Sequence, residues 1–245
     1  MLTVNRHIVA INSAFDDTSW CADNQFRNLP RNRIMRIAVL FYGRILHFDK
    51  RFLLKKLDSS HNIDIFYSCD AEPDNLVDDF IYLYEPVAVN NEKIHCSLDL
   101  NSYYANTRGV NVYNMIRHFI NLSRVFQLLE NHISNTGTAY DIVIATRLDL
   151  QISRLELIQP EKNTIYIPYG EDNCGLNDRF AMGDIDTMRN YTNIFNNILF
   201  LLDNDLAILH PEMLTLAHIK HSNINIKRLY MLYILYERDV IWGGK

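Results

Sequence analysis

The stretch YDIVIATRLDL, Tyr140 to Leu150, decides how this chain folds. Ile142, Val143, Ile144 and Ala145 form a short continuous apolar run, the pattern of a strand covered on both faces in an α/β sheet. Arg147 and Asp149 follow at once, so the charged pair lies near the carboxyl end of that strand. Open α/β sheets bind ligands in the crevice outside the carboxyl ends of their strands. There an Asp can hold a divalent cation and an Arg can grip phosphate. The expected ligand is a phosphorylated metabolite.

Working outward, Ile34 to Tyr42 (IMRIAVLFY) reads as another central strand, closed by Gly43-Arg44. Asp49 is a suitable N-cap for a following helix bearing Phe52, Leu53 and Leu57. A second strand runs from Ile63 to Ser68 and ends in Cys69-Asp70. A short acidic helix from about Asp74 leads to a third strand, Pro86 to Val89. Alternating strands and helices predict a mostly parallel sheet flanked by helices. Met115, Phe119, Leu122, Phe126, Leu129 and Ile133 recur every three or four residues, which predicts one long helix ended by Gly137. Further on, Thr164 to Ile167 reads as a short strand and Tyr169 to Asn177, with Gly170 and Gly175, as a loop. One helix is expected to carry Met188, Tyr191, Phe195, Ile198 and Leu202, and Pro211 is placed to open another. Ile224 to Tyr236 alternates poorly and could be a strand or a helix, with a strand preferred. Residues 1–33 are polar and Asn-rich and are expected to be an extension or an added strand, with 34–245 a single domain.

The formal net charge of -5, from 24 Lys and Arg against 29 Asp and Glu, argues against a nucleic-acid binder. Arg27 to Lys56 is basic apart from Asp49, whereas Leu57 to Glu92 holds acids and no Lys or Arg. That asymmetry fits two solvated faces, or a basic rim for an anionic ligand or peripheral contact with a membrane surface. Cys21, Cys69, Cys96 and Cys174 are widely spaced, without a CxxC pair, so neither a zinc site nor a disulfide framework is indicated. With no stretch apolar enough for a leader or a transmembrane span, a cytoplasmic protein is expected.

Several residues carry candidate chemistry. Asp149 is a possible metal ligand, for Mn²⁺ or Mg²⁺, and Arg147 a group able to neutralise a leaving diphosphate; the alternative is an ion pair that fixes the strand end. Gly43 permits close backbone approach to a ligand, and Arg44 can contact base or phosphate. Asp70 is placed either to accept from a nucleoside or to cap a turn. Asp178 reads as a general base or ligand of an acceptor hydroxyl, or else as a helix cap. His210 with Glu212 could supply a metal ligand or an acceptor contact. No GxGxxG and no GxxxxGK[ST] occurs, against a dinucleotide-binding Rossmann enzyme and against a P-loop nucleotidase.

RIAVLFYGRILHFD from Arg36, IDIFYSCD from Ile63, YDIVIATRLDL from Tyr140, GLNDRFAMGDIDTMRNY from Gly175 and HPEMLTLAHI from His210 together resemble a group of small GT-A-like glycosyltransferases. That group combines a first strand ending in Gly and Arg with an R-x-D-L strand and a later N-D-x-F-x-x-G segment. The resemblance covers about Arg36 to Asp239. It implies a GT-A-like, Rossmann-like α/β fold, a nucleotide-sugar donor and a glycan or glycoprotein acceptor. Gly43, Arg44, Asp70, Arg147 and Asp149 would face the donor, and Asp178 the sugar or acceptor. Arg147 replaces the first acid of the usual DxD motif, which leaves metal dependence open. An alternative is a catalytically inactive glycosyltransferase-like binding or scaffold protein.

Overall fold

In this computed structural model, residues 34–45, 61–96, 98–100, 102–103, 109–155 and 157–235 are described. The expected extension 1–33 and the helix opened by Asp49 lie outside them. The elements are β1 (Arg36–Tyr42), β2 (Asn62–Ser68), α1 (Asp74–Tyr84), β3 (Ala88–Asn90), α2 (Val112–Thr136), β4 (Ile142–Arg147), β5 (Leu150–Leu155), β6 (Thr164–Pro168), β7 (Phe180–Gly183), α3 (Ile185–Thr192), α4 (Ile194–Asp203), α5 (Pro211–His221), β8 (Asn225–Leu229) and β9 (Met231–Leu235).

The chain is an α/β protein whose central seven-stranded sheet has the order β3-β2-β1-β4-β7-β6-β8. β1 pairs in parallel with β2 and β4, β2 with β3, and β6 with β8. β7 is antiparallel to both β4 and β6. Six strands therefore share one direction and β7 alone opposes it. This mostly parallel sheet flanked by helices is consistent with a Rossmann-like fold.

Both faces of β1 are buried, which explains its unbroken apolar run. Ala38, Leu40 and Tyr42 pack into the layer formed with α2, α3, α4 and α5. Ile37, Val39 and Phe41 point into the opposite layer, where α1 and the antiparallel β5–β9 ribbon cover the sheet. The predicted stripe on the long helix is the packed face of α2: five of its six residues are buried, and Ile133 is partly buried against the same cluster. Gly137 caps it at φ 70°, its N–H donating to the Ile133 carbonyl at 2.8 Å.

Three expectations are adjusted by the structure. The helix expected across Met188 to Leu202 is broken into α3 and α4 at Asn193, whose carbonyl accepts from Asn196 N and Asn197 Nδ2 at 3.2 Å each. Asparagine side chains compete for backbone bonds, and this Asn-rich stretch interrupts the helix there. The single strand expected over Ile224 to Tyr236 is two strands in different sheets, β8 and β9, separated by exposed Tyr230. The third strand begins at Ala88, with Pro86 left outside the ladder, as its missing N–H requires.

Candidate functional site

Parallel strands deliver their carboxyl ends to one edge of the sheet, and a cleft of about 260 Å³ opens there. Gly43, Arg44, Asp70, Arg147, Asp149 and Asp178, six residues singled out in the sequence, all line it. Tyr42 to Arg44 come from the end of β1, Asp70 and Glu72 follow β2, and Arg147 and Asp149 close β4. Asp178 precedes a strand rather than following one. It reaches the same edge because β7 runs backwards, pairing Phe180 with Thr146.

Gly43 adopts φ +97°, a backbone shape few L side chains accept, and its N–H donates to the Ser68 carbonyl at 3.1 Å. This turns the chain at the end of β1 and swings Arg44 over the cleft. On the β4 side, Arg147 and Asp149 form a two-pronged ion pair, with Nε donating to Oδ1 at 2.9 Å and Nη2 to Oδ2. Burial alone would lower the Arg147 pKa. The Asp149 hydrogen bonds and charge, with Asp178 and Tyr42 nearby, more than offset that and raise it. The ion-pair alternative for these two residues is thus present, and it sits inside the cleft.

Asp178 is buried, its Oδ2 3.5 Å from Nε2 of His118. The Tyr42 hydroxyl donates to its carbonyl at 2.9 Å. Helix capping, the other role open to Asp178, falls to Asp184, whose side chain accepts from Thr187 N. The approach to Asp178 is rigidly held. Asn177 donates from Nδ2 to the Gly170 carbonyl and to the Tyr233 hydroxyl, while its Oδ1 accepts from Arg179 N. Asp172 accepts from Asn177 N and from two nitrogens of Arg228.

His118 was not among the residues the sequence marked. It belongs to a polar face at the start of α2 formed by Asn111, Asn114, Arg117, His118 and Asn121, all lining the cleft. Their spacing of 3, 3, 1 and 3 is itself a helical period, so the signal was there, beside a stronger apolar one. Burial pushes the His118 pKa down, only partly opposed by Asp178, which favours a neutral imidazole. Asp70 accepts from Ile94 N at 2.6 Å and pairs with Arg117, so it anchors a loop and a cation together.

His210 and Glu212 do not line the cleft, although Pro211 between them does. Their side chains brace the neighbouring loop. Glu212 Oε1 accepts from Asn173 Nδ2 at 2.7 Å, and Oε2 lies 3.0 Å from His210 Nδ1. The Glu212 carbonyl accepts from Leu176 N, and Gly175 packs so tightly there that an added Cβ would fall 2.1 Å from that oxygen. This pair, expected from the sequence to contact an acceptor, supports the loop that carries Asp178.

The four carboxylates of the cleft each have a cationic or imidazole partner: Asp70 with Arg117, Glu72 with Arg44, Asp149 with Arg147, Asp178 with His118. Among the described residues no group of three or more His, Cys, Asp or Glu is arranged to hold a metal ion. A hard cation needs several oxygens free to converge; each Asp149 oxygen already accepts from Arg147 and keeps a lone pair for a further partner. Asp149, the residue expected from the sequence to hold Mn²⁺ or Mg²⁺, therefore stands in the cleft already paired with Arg147. No helix among the described residues is long and apolar enough to cross a membrane. No family model and no curated protein matches this chain.

Proposed function

We propose that this chain is a GT-A-like glycosyltransferase that moves a sugar from a nucleotide-diphosphate donor to a hydroxyl of a glycan or glycoprotein acceptor. One observation carries the reading: Arg44, Arg147, Asp149 and Asp178, separated by up to 134 positions in sequence, line one cleft at the carboxyl edge of the sheet. The roles follow from chemistry. Charge collects on the diphosphate as the glycosidic bond breaks, and the buried guanidinium of Arg147, preorganised by Asp149, faces it without reorganisation. Asp149 also offers acceptor lone pairs to sugar hydroxyls. In a single displacement the acceptor oxygen bonds to the anomeric carbon, its proton passes to Asp178, and the bond to the diphosphate oxygen breaks with the electron pair leaving on that oxygen. His118, kept neutral by burial, lies beside the carboxylate with Nε2 3.5 Å from Oδ2. The product is then inverted at the anomeric carbon, and its configuration reads out directly by NMR.

Isothermal titration of UDP, GDP and their sugars, with and without Mn²⁺, is the test. Saturable binding of one nucleotide supports the reading, and binding of none removes it. A second reading, an inactive relative that only binds, is favoured by the arginine partners of Asp70, Glu72 and Asp149. Slow donor hydrolysis that disappears in Asp149→Ala and Asp178→Ala separates the two, since an inert scaffold turns nothing over.

A further inference from the structure

The cleft has two ends with different chemistry. At the β4 side lie the Arg147–Asp149 pair and Asp178, largely withdrawn from water. At the β2 side lie Arg44 and Arg117, which the Gly43 turn and the first turns of α2 bring to the same cleft. We infer that Arg117 and Arg44 form a clamp for the diphosphate of a nucleotide donor, so that the nucleoside lies toward β2 and the transferred sugar toward Arg147, Asp149 and Asp178. This rests on the glycosyltransferase reading above, and adds to it a binding residue and a direction for the substrate.

Burial separates the acids from the cations at this end. The side chains of Asp70 and Glu72 retain 5% and 6% exposure, whereas Arg117 and Arg44 retain 29% and 56%. The carboxylates therefore lie beneath and the guanidinium groups stand toward the opening. An arginine carries five N–H donors in a fixed fork, and one carboxylate does not exhaust them. Arg117 Nε is enclosed with no hydrogen-bond partner among the described residues, a donor with nothing to donate to. Its guanidinium lies over the Tyr113 ring, 4.5 Å from the centroid, and also pairs with Asp70. Held by ring and carboxylate, it has little rotamer freedom left to lose on binding.

Two further features converge. Burial and the charge of Arg44 both lower the Arg117 pKa, as expected of two cations forced close, and a ligand bearing two negative charges relieves that repulsion. Val110, Asn111 and Asn114 at the start of the 25-residue α2 also line the cleft, so the positive end of its dipole adds to the same field. A monoanionic or neutral ligand has no use for two adjacent guanidinium groups. A diphosphate has use for both.

The test is calorimetric titration of UDP and GDP, with inorganic pyrophosphate as the minimal probe. The proteins are wild type, Arg44→Met, Arg117→Met and the double variant Asp70→Asn/Arg117→Met. The last avoids stranding a buried carboxylate and protects against simple misfolding; Arg44→Met/Glu72→Gln does the same for the Arg44 pair. Each Arg loss is expected to weaken nucleotide and pyrophosphate binding by about tenfold or more. Arg189→Met, outside the cleft, is expected to leave pyrophosphate binding within about twofold of wild type. If wild type binds UDP or GDP and the Arg117 variants bind as tightly, the clamp is wrong while the glycosyltransferase reading stands. If wild type binds no nucleotide, both fall.

Discussion

Removing Asp149 strands the Arg147 guanidinium in the floor of the cleft, and the cost of that can be worked from the geometry. The two side chains are 26% and 19% exposed and joined by two hydrogen bonds. Truncating one partner of a buried pair costs roughly 3–5 kcal/mol, mostly because an uncompensated charge remains. Water reaches part of this guanidinium, which puts Asp149→Ala near the lower end, about 3 kcal/mol. For a domain of this size each kcal/mol shifts Tm by roughly 2–4 °C, so a loss of about 6–12 °C is expected in a calorimetric scan. Arg147→Met/Asp149→Ala removes the stranded charge and should return to within about 1 kcal/mol of wild type. Urea unfolding of wild type, both single variants and the double variant closes the cycle. A single variant within about 1 kcal/mol of wild type, or a double variant as unstable as the worse single, refutes the picture of a buried pair.

Three other outcomes follow from the same geometry. Gly175→Ala drives a Cβ into the backbone at Glu212, and the displaced loop should cost about 3 kcal/mol or more by urea unfolding and lower any donor turnover through Asp178; a variant of unchanged stability contradicts that contact. His118 and His218 both have pKa values lowered by burial, so the unfolded chain takes up their protons first. Neither affects stability above about pH 6.5, and stability falls below it; a Tm flat between about pH 7 and pH 5, or the same slope in His218→Gln, counts against this. The Cys69 thiol is pushed up to about 11 by burial, whereas Cys96 and Cys174 are exposed. Brief alkylation of native protein near neutral pH should therefore leave Cys69 unmodified by mass spectrometry while the other two react.

Much of this architecture was legible from hydrophobic pattern because the elements concerned are buried on a whole face or on two. The runs Arg36–Tyr42 and Ile142–Arg147 and the α2 stripe are such cases. The strand ends then located Arg44, Asp70, Arg147 and Asp149, since a parallel sheet aligns its carboxyl termini whatever else the chain does. Arg117 and His118 escaped notice because they share a helix with a dominant apolar face, and a reading tuned to that face treats the rest as solvated. β5 escaped because LQISRL follows the β4 motif directly, and only its pairing with β9 across some 80 residues makes it a strand. His210 and Glu212 carry the right chemical groups, but no local pattern says that they turn toward Asn173 instead of the cleft.

The reversed strand β7 gives Asp178 an unusual kind of mounting. Its height above the cleft floor is set by the rungs Thr146–Phe180, Ala145–Ala181 and Ile144–Met182, as on a ruler, and not by the length of the loop before it. A slip of two rungs would carry the carboxylate away from His118 by about 7 Å, and a slip of one would force Phe180 and Met182 out of the layer that now encloses them. The glycine-bearing loop ahead of it is seated for a separate reason, the close fit of Gly175 against Glu212, so the reach of Asp178 is calibrated twice, by strand register and by loop packing.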